Sequence, residues 1–168
     1  MAREEKIQEF LKERSVETKI LVFSESTRTS QDAANQAGCE LSRIAKSVVF
    51  RTEDEPILVI TSGPNRVSEE KLKTVLPKEC SNILKNVGMS QINIEKADAD
   101  FVYEKTGFPI GGVPAFCHKT KIKYVFIDQD LIKFEKVWSA AGTPHSIFEI
   151  PTKDLIQLSE AKIADIKI

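Results

Sequence analysis

The sequence has few of the residues that would staple a small secreted protein or mark a metal enzyme. Three cysteines, Cys39, Cys80 and Cys117, occur in 168 residues. They are odd in number, widely spaced and without a C-x-x-C pair, which excludes a disulfide framework and a structural zinc site and predicts a reducing, cytoplasmic setting. The two histidines, His118 and His145, belong to no H-x-x-x-H or H-E-x-x-H pattern, so no metal is expected. Also missing are a G-x-x-x-x-G-K-[ST] phosphate loop and a G-x-S-x-G nucleophile elbow, which argues against nucleotide hydrolysis and a Ser-His-Asp hydrolase. No cofactor is expected. With 7 Gly and 7 Pro, the chain is neither fibrous nor disordered. It has no run of roughly 18 apolar residues and its N-terminus lacks the apolar core of a signal peptide, so neither export nor a membrane span is predicted. The balance of 24 basic and 25 acidic residues leaves a net charge of −1. No whole-protein field draws in DNA, and any RNA contact should be local.

What is present suits one compact domain over residues 1–168, long enough to bury a core unaided. Ile7, Phe10 and Leu11 fall on one stripe of a charged segment at 3–15, predicting an amphipathic helix. T-K-I-L-V-F at 18–23 reads as a strand. The hydroxyls of S-E-S-T-R-T-S then offer caps for a helix starting near Gln31 and closed by Gly38. Two apolar runs, 46–52 and 57–62, bracket an acidic turn and predict a hairpin. Ser68 before two glutamates starts a helix ending before Pro77, and further helices are expected at about 80–87 and at 98–107. Strands are predicted at 92–96, 122–128, 131–138 and 146–150, and a last helix capped by Thr152. The class is α+β, with a mixed, largely antiparallel sheet curling toward a barrel and helices around it.

Few residues carry chemistry. Gly111-Gly112-Val113-Pro114 joins two glycines, which let the backbone approach a ligand and turn N–H groups outward, to a proline that stiffens the exit. Such a loop can hold a carbonyl oxygen that becomes an oxyanion, although a plain turn needs the same residues. The small-residue bend A-A-G-T-P-H, with Gly142, Thr143 and His145 after Trp138, can line a small pocket or simply connect strands. Lys46 opens an apolar strand, as a solvated strand end or as a cation aimed into a site. Cys117 beside His118 allows a thiol nucleophile with a histidine base, against the commoner reading of a packed cysteine.

R-T-S-Q-D-A-A, C-E-L-S-R-I-A-K-S-V-V-F, T-G-F-P-I-G-G-V-P-A-F-C-H and V-W-S-A-A-G-T-P-H-S-I-F-E-I, in that order and spacing, resemble the YbaK and prolyl-tRNA-synthetase-associated editing domains. The resemblance covers about residues 25–166. It implies a freestanding trans-editing hydrolase that cleaves the ester between a wrong amino acid and the 3′ end of a tRNA, typically tRNA(Pro) carrying alanine or cysteine, with an aminoacyl-tRNA synthetase as a further partner. The family's functional lysine falls on Lys46 and its substrate loop on Gly111 to Pro114. His145 matches a histidine that shapes the amino-acid pocket in alanine-specific relatives. One departure is Ala115, where many members have a second proline. Lys46, Gly111 and Gly112 are therefore the expected catalytic set, and Val113, Pro114, His118, Gly142, Thr143 and His145 the expected substrate contacts. Two other readings stay open: a binding module of the same fold that does not hydrolyse, and a thiol hydrolase using Cys117 and His118.

Overall fold

The computed structural model describes residues 1–77 and 92–168. Cys80 and the helix expected at about 80–87 lie outside the described residues. The first helix, α1 (Arg3–Glu13), turns Ile7 and Leu11 fully inward and leaves its charged face out. The expected strand at 18–23 shortens to β1 (Leu21–Val22). In α2 (Ser30–Ala37) the Thr29 hydroxyl accepts the Asp32 N–H, and Gly38 ends the helix at φ 69°, a left-handed conformation glycine adopts without a Cβ penalty.

The hairpin forms as predicted from β2 (Ala45–Thr52) and β3 (Glu55–Ser62), with Thr52 opposite Glu55. Ile57 to Ile60 of β3 are all fully buried, which marks a central strand covered on both faces. Leu58 and Ile60 enter the main core with Ile7, Leu11, Phe108 and Phe148, while Ile57 and Val59 enter a second cluster with Phe50, Leu72 and Phe126. Each such side chain contributes about 1.5–3 kcal/mol of burial. Ser68 caps α3 (Glu69–Val75) by accepting the Lys71 N–H. After β4 (Glu95–Lys96), Asp98 caps α4 (Ala99–Thr106) by accepting the Phe101 N–H, and Gly107 closes it at φ 81°.

The remaining elements are β5 (Tyr124–Asp128), β6 (Lys136–Ala140), β7 (Ser146–Pro151), α5 (Thr152–Ser159) and β8 (Lys162–Ala164). Two expectations are corrected here. The strand expected at 131–138 begins only at Lys136, because Leu131 is fully buried in a 3-10 turn, Gln129–Leu131, that carries the chain out of β5. Thr152 does not cap α5: it is the first helical residue, and its hydroxyl donates to the Phe134 carbonyl at 2.6 Å.

Five strands form a mixed sheet in the order β4-β2-β3-β5-β8, antiparallel up to β3 and parallel beyond it. The antiparallel sheet β1-β7-β6 lies beside it. The two meet at a parallel bridge between Ile44 and Trp138 and do not close into a barrel.

Candidate functional site

Beyond that bridge β2 and β6 diverge, and a cavity of about 150 Å3 fills the split. Its floor is β2 from Ala45 to Val49. One wall is Trp138 to Ala140 of β6 with Ile147 of β7, and another is Thr27 to Ser30 and Ala33 at the start of α2. Lys96, Ala97, Val102 and the loop residues Ile110, Gly111 and Val113 complete it. The wall carries three cationic residues, Arg28, Lys46 and Lys96, and no carboxylate. Three of its hydroxyls, Thr27 Oγ1, Ser30 Oγ and Ser47 Oγ, are buried without a hydrogen-bond partner. Buried polar groups are nearly always satisfied by protein, water or ligand, so three unpaired hydroxyls from two segments around one cavity point to a polar occupant.

The Lys46 ammonium makes no hydrogen bond or ion pair among the described residues. Burial pulls its ammonium below the ordinary lysine value, and Lys96 and Arg66 nearby pull it the same way. Strand alternation puts Lys46 on the face of Ile44 and Val48, and Ser47 on the face of Ala45 and Val49.

The glycine loop is held by backbone contacts. Gly112 N–H donates to the Pro109 carbonyl at 2.9 Å, closing a turn whose third residue, Gly111, has φ 88°. A Cβ on Gly111 would fall on Arg28 Cγ. A Cβ on Gly112 would lie 2.8 Å from the N, Cα and C of Thr143, and Gly142 N–H donates to the Gly112 carbonyl at 2.9 Å. The loop and the 141–145 bend are thus one backbone-packed unit.

Of the expected site residues, Lys46, Gly111 and Val113 line the cavity. Gly112, Gly142 and Thr143 lie behind the loop and brace it. Pro114 is buried, and its carbonyl lies 2.8 Å from His118 Nε2. Burial holds the His118 imidazole below its usual pKa, and its ring meets the edge of Phe108. His145 is exposed, its Nδ1 3.3 Å from the Glu25 carbonyl, and it does not line the cavity. Cys117 packs against the main core and burial pushes its thiol pKa up, the opposite of what a thiolate nucleophile needs. The contributors that sequence reasoning passed over are Arg28, Lys96 and the hydroxyls of Thr27, Ser30 and Ser47. In the sequence those hydroxyls look like helix caps and a strand end, and only the fold brings them to one place.

Against known proteins, residues 24–158 match the family model described as aminoacyl-tRNA editing domain. The chain belongs to that family. It is 31% identical over 150 residues to YwhH of Bacillus subtilis (strain 168), itself uncharacterized, covering 88% of this chain and 85% of that protein. A 114-residue stretch, 58% of the chain, is 31% identical to a proline–tRNA ligase of Thermosipho melanesiensis, of which it spans 20%. Among solved structures, a candidate trans-editing enzyme for prolyl tRNA synthetase superposes with a TM-score of 0.82 at 32% identity, covering 100% of this chain and 98% of that one. In this editing domain, then, the cavity between β2 and β6 lies wholly within the matched residues 24–158.

Proposed function

We propose that this editing domain is a freestanding deacylase that hydrolyses the ester of mischarged aminoacyl-tRNA, with tRNA(Pro) bearing alanine or cysteine as its substrate. What carries the reading is the cavity itself: Lys46 and Gly111 share it, its wall holds cations and no carboxylate, and its size suits one small acyl group. Family membership supplies the substrate class.

An aminoacyl ester is already activated, so no covalent nucleophile is required. The site must hold the carbonyl, admit water and stabilise the charge that develops on oxygen. Lys46, Arg28 and Lys96 set a positive potential at the cavity that favours the terminal phosphate of the tRNA and the anionic tetrahedral intermediate. Lys46 is the cation with most to gain, because partial burial strengthens its field and leaves it no competing partner. Gly111 brings the backbone against the substrate where a side chain would collide with Arg28. Gly112, Gly142 and Thr143 fix that position, and Pro114 with His118 stiffens the loop's exit. Water adds to the carbonyl, the bond to the ribose oxygen breaks, and the proton released by water passes to that oxygen.

Selectivity is steric. The apolar wall of Ala33, Ala45, Ala140, Ile147 and Trp138 meets the acyl side chain, and its fit selects against the prolyl ring in this proposal. Small acyl groups differ by only about 1–3 kcal/mol per methylene, so neighbours in size are hydrolysed too. The cytoplasm is the place of work, and docking on a synthetase is part of the same proposal. The test is a panel of tRNAs charged with alanine, cysteine, serine, glycine and proline. Release of the small residues with prolyl-tRNA left intact is expected; binding without release of any of them would leave a recognition module instead.

A further inference from the structure

The cavity borders an open strand edge. Val49 accepts the Ala97 N–H at 3.0 Å on the side of β2 that faces away from β3. Main-chain polar groups along a strand alternate in direction, so those of Ser47 leave on this same outer side, while Lys46, Val48 and Phe50 bond to β3. Pro56, which has no N–H to give, stands opposite Arg51, in agreement with that alternation. Yet β4 covers the outer edge only at Phe50 and Arg51, and the bridge to Trp138 covers it only at Ile44. On the far side of the split, Ala141 N–H donates to Ser146, which turns the polar groups of Ala140 away from β7 and toward β2. Ser47 N–H, Ser47 C=O and Ala140 N–H have no partner among the described residues, and both residues line the cavity. Bare main-chain groups are a template for pairing with another chain. Beside them stand the unpaired hydroxyls of Thr27, Ser30 and Ser47, Thr27 being only 4% exposed.

An aminoacyl group is one residue of polypeptide that ends in an ester. Extended, it shows its amine and its carbonyl on one side, the complement of what Ser47 presents. We propose that the aminoacyl group docks on the outer edge of β2 as a single added strand residue, with Ser47 N–H donating to the ester carbonyl oxygen and Ser47 C=O accepting from the α-amine. The identity of the ligand rests on the deacylase reading above. Ser47 N–H is then the oxyanion donor, a role closed to Gly112, whose N–H is given to Pro109. When water adds to the carbonyl carbon, the electron pair of the C=O π bond moves to that oxygen and meets this N–H. It returns as the bond to the ribose oxygen breaks and the proton from water reaches the leaving oxygen.

The binding test uses the full chain, 15N-labelled, and a stable probe, alanine amide-linked to 3′-amino-3′-deoxyadenosine. The Ser47 amide proton should move downfield and exchange more slowly at saturation, and 3′-amino-3′-deoxyadenosine alone should leave it in place. A Ser47 amide that neither shifts nor gains protection overturns the proposal, whether or not Lys46 and Gly111 respond. The kinetic test replaces Ser47 by its α-hydroxy acid, which removes the N–H and keeps the side chain. Loss of one oxyanion donor predicts a kcat about 10²–10³ lower with KM little changed. Tm should fall only slightly, because no ladder pairs that N–H and the ester leaves only a weaker acceptor at the Lys46 carbonyl in the β2–β3 ladder. Ser47→Ala, which keeps the N–H, should retain most of its kcat. An ester variant with undiminished kcat also overturns the proposal. Should the probe protect Ser47 while no aminoacyl-tRNA is cleaved, strand-edge docking stands and the deacylase reading falls.

Discussion

Replacing Gly112 by alanine tests how tightly the substrate loop is set. Gly112 has no positive φ, so the substitution brings no backbone strain, and its cost is purely the added methyl. That methyl would lie 2.8 Å from three backbone atoms of Thr143, which cannot swing aside as a flexible side chain would. Overpacking of this kind costs about 1–3 kcal/mol. For a domain of this size each kcal/mol is worth about 2–4 °C, so Tm should fall by about 2–12 °C. Relief comes by pushing the loop away from the bend, which carries Gly111 with it, and a displacement near 1 Å at a reacting group costs up to about 10²-fold in rate. Thermal denaturation and single-turnover deacylation of alanyl-tRNA(Pro) read the two effects. Gly38→Ala is the control: its φ of 69° strains an alanine, but nothing lies within 4 Å of the new methyl, so Tm should drop without loss of activity. If Gly112→Ala melts and turns over like the wild type, the backbone-packed loop is not what holds the site.

Three further outcomes follow from other parts of the molecule. Lys46→Met should raise stability at neutral pH, because the folded state lowers the lysine pKa and so carries a cost for the charged form. That cost is complete below the folded pKa and gone above the unfolded value near 10.5, so the variant's gain in Tm should shrink as pH rises toward 10.5. Asp128→Ala should destabilise strongly in urea titrations: the fully buried carboxylate accepts from Ser62 N–H, Asn65 Nδ2 and Asp130 N–H, and each buried donor left unpaired costs about 1–3 kcal/mol. Cys117→Ala should leave deacylation intact, whereas a loss of turnover without a loss of fold would revive the thiol mechanism.

Local chemistry was legible from the sequence wherever a single residue decides a boundary. Ser68 starts a helix through its hydroxyl, Gly38 and Gly107 end helices through a missing Cβ, and the structure uses each of them so. The β2–β3 hairpin was equally plain, since two apolar runs on either side of a polar turn have one simple way to pair. Long-range choices were not legible. K-I-A at β8 is too short to stand out, and it becomes a strand only because β5 offers it a parallel edge. Leu131 looked like strand because it is apolar, but a 3-10 turn buries it as well. Of the site, Lys46 and the glycine pair could be named beforehand from the resemblance. The hydroxyls of Thr27, Ser30 and Ser47 could not, because their meaning comes from the divergence of β2 and β6, which no local pattern encodes.

Single-turnover hydrolysis of alanyl-tRNA(Pro) and cysteinyl-tRNA(Pro) by the wild-type protein and Lys46→Ala tests most directly whether this cavity is a deacylation site. Release of the amino acid by the wild type, and a loss of at least about 10²-fold in the variant at undiminished Tm, is the predicted result. Equal rates for the two proteins, or no release by the wild type, would contradict it.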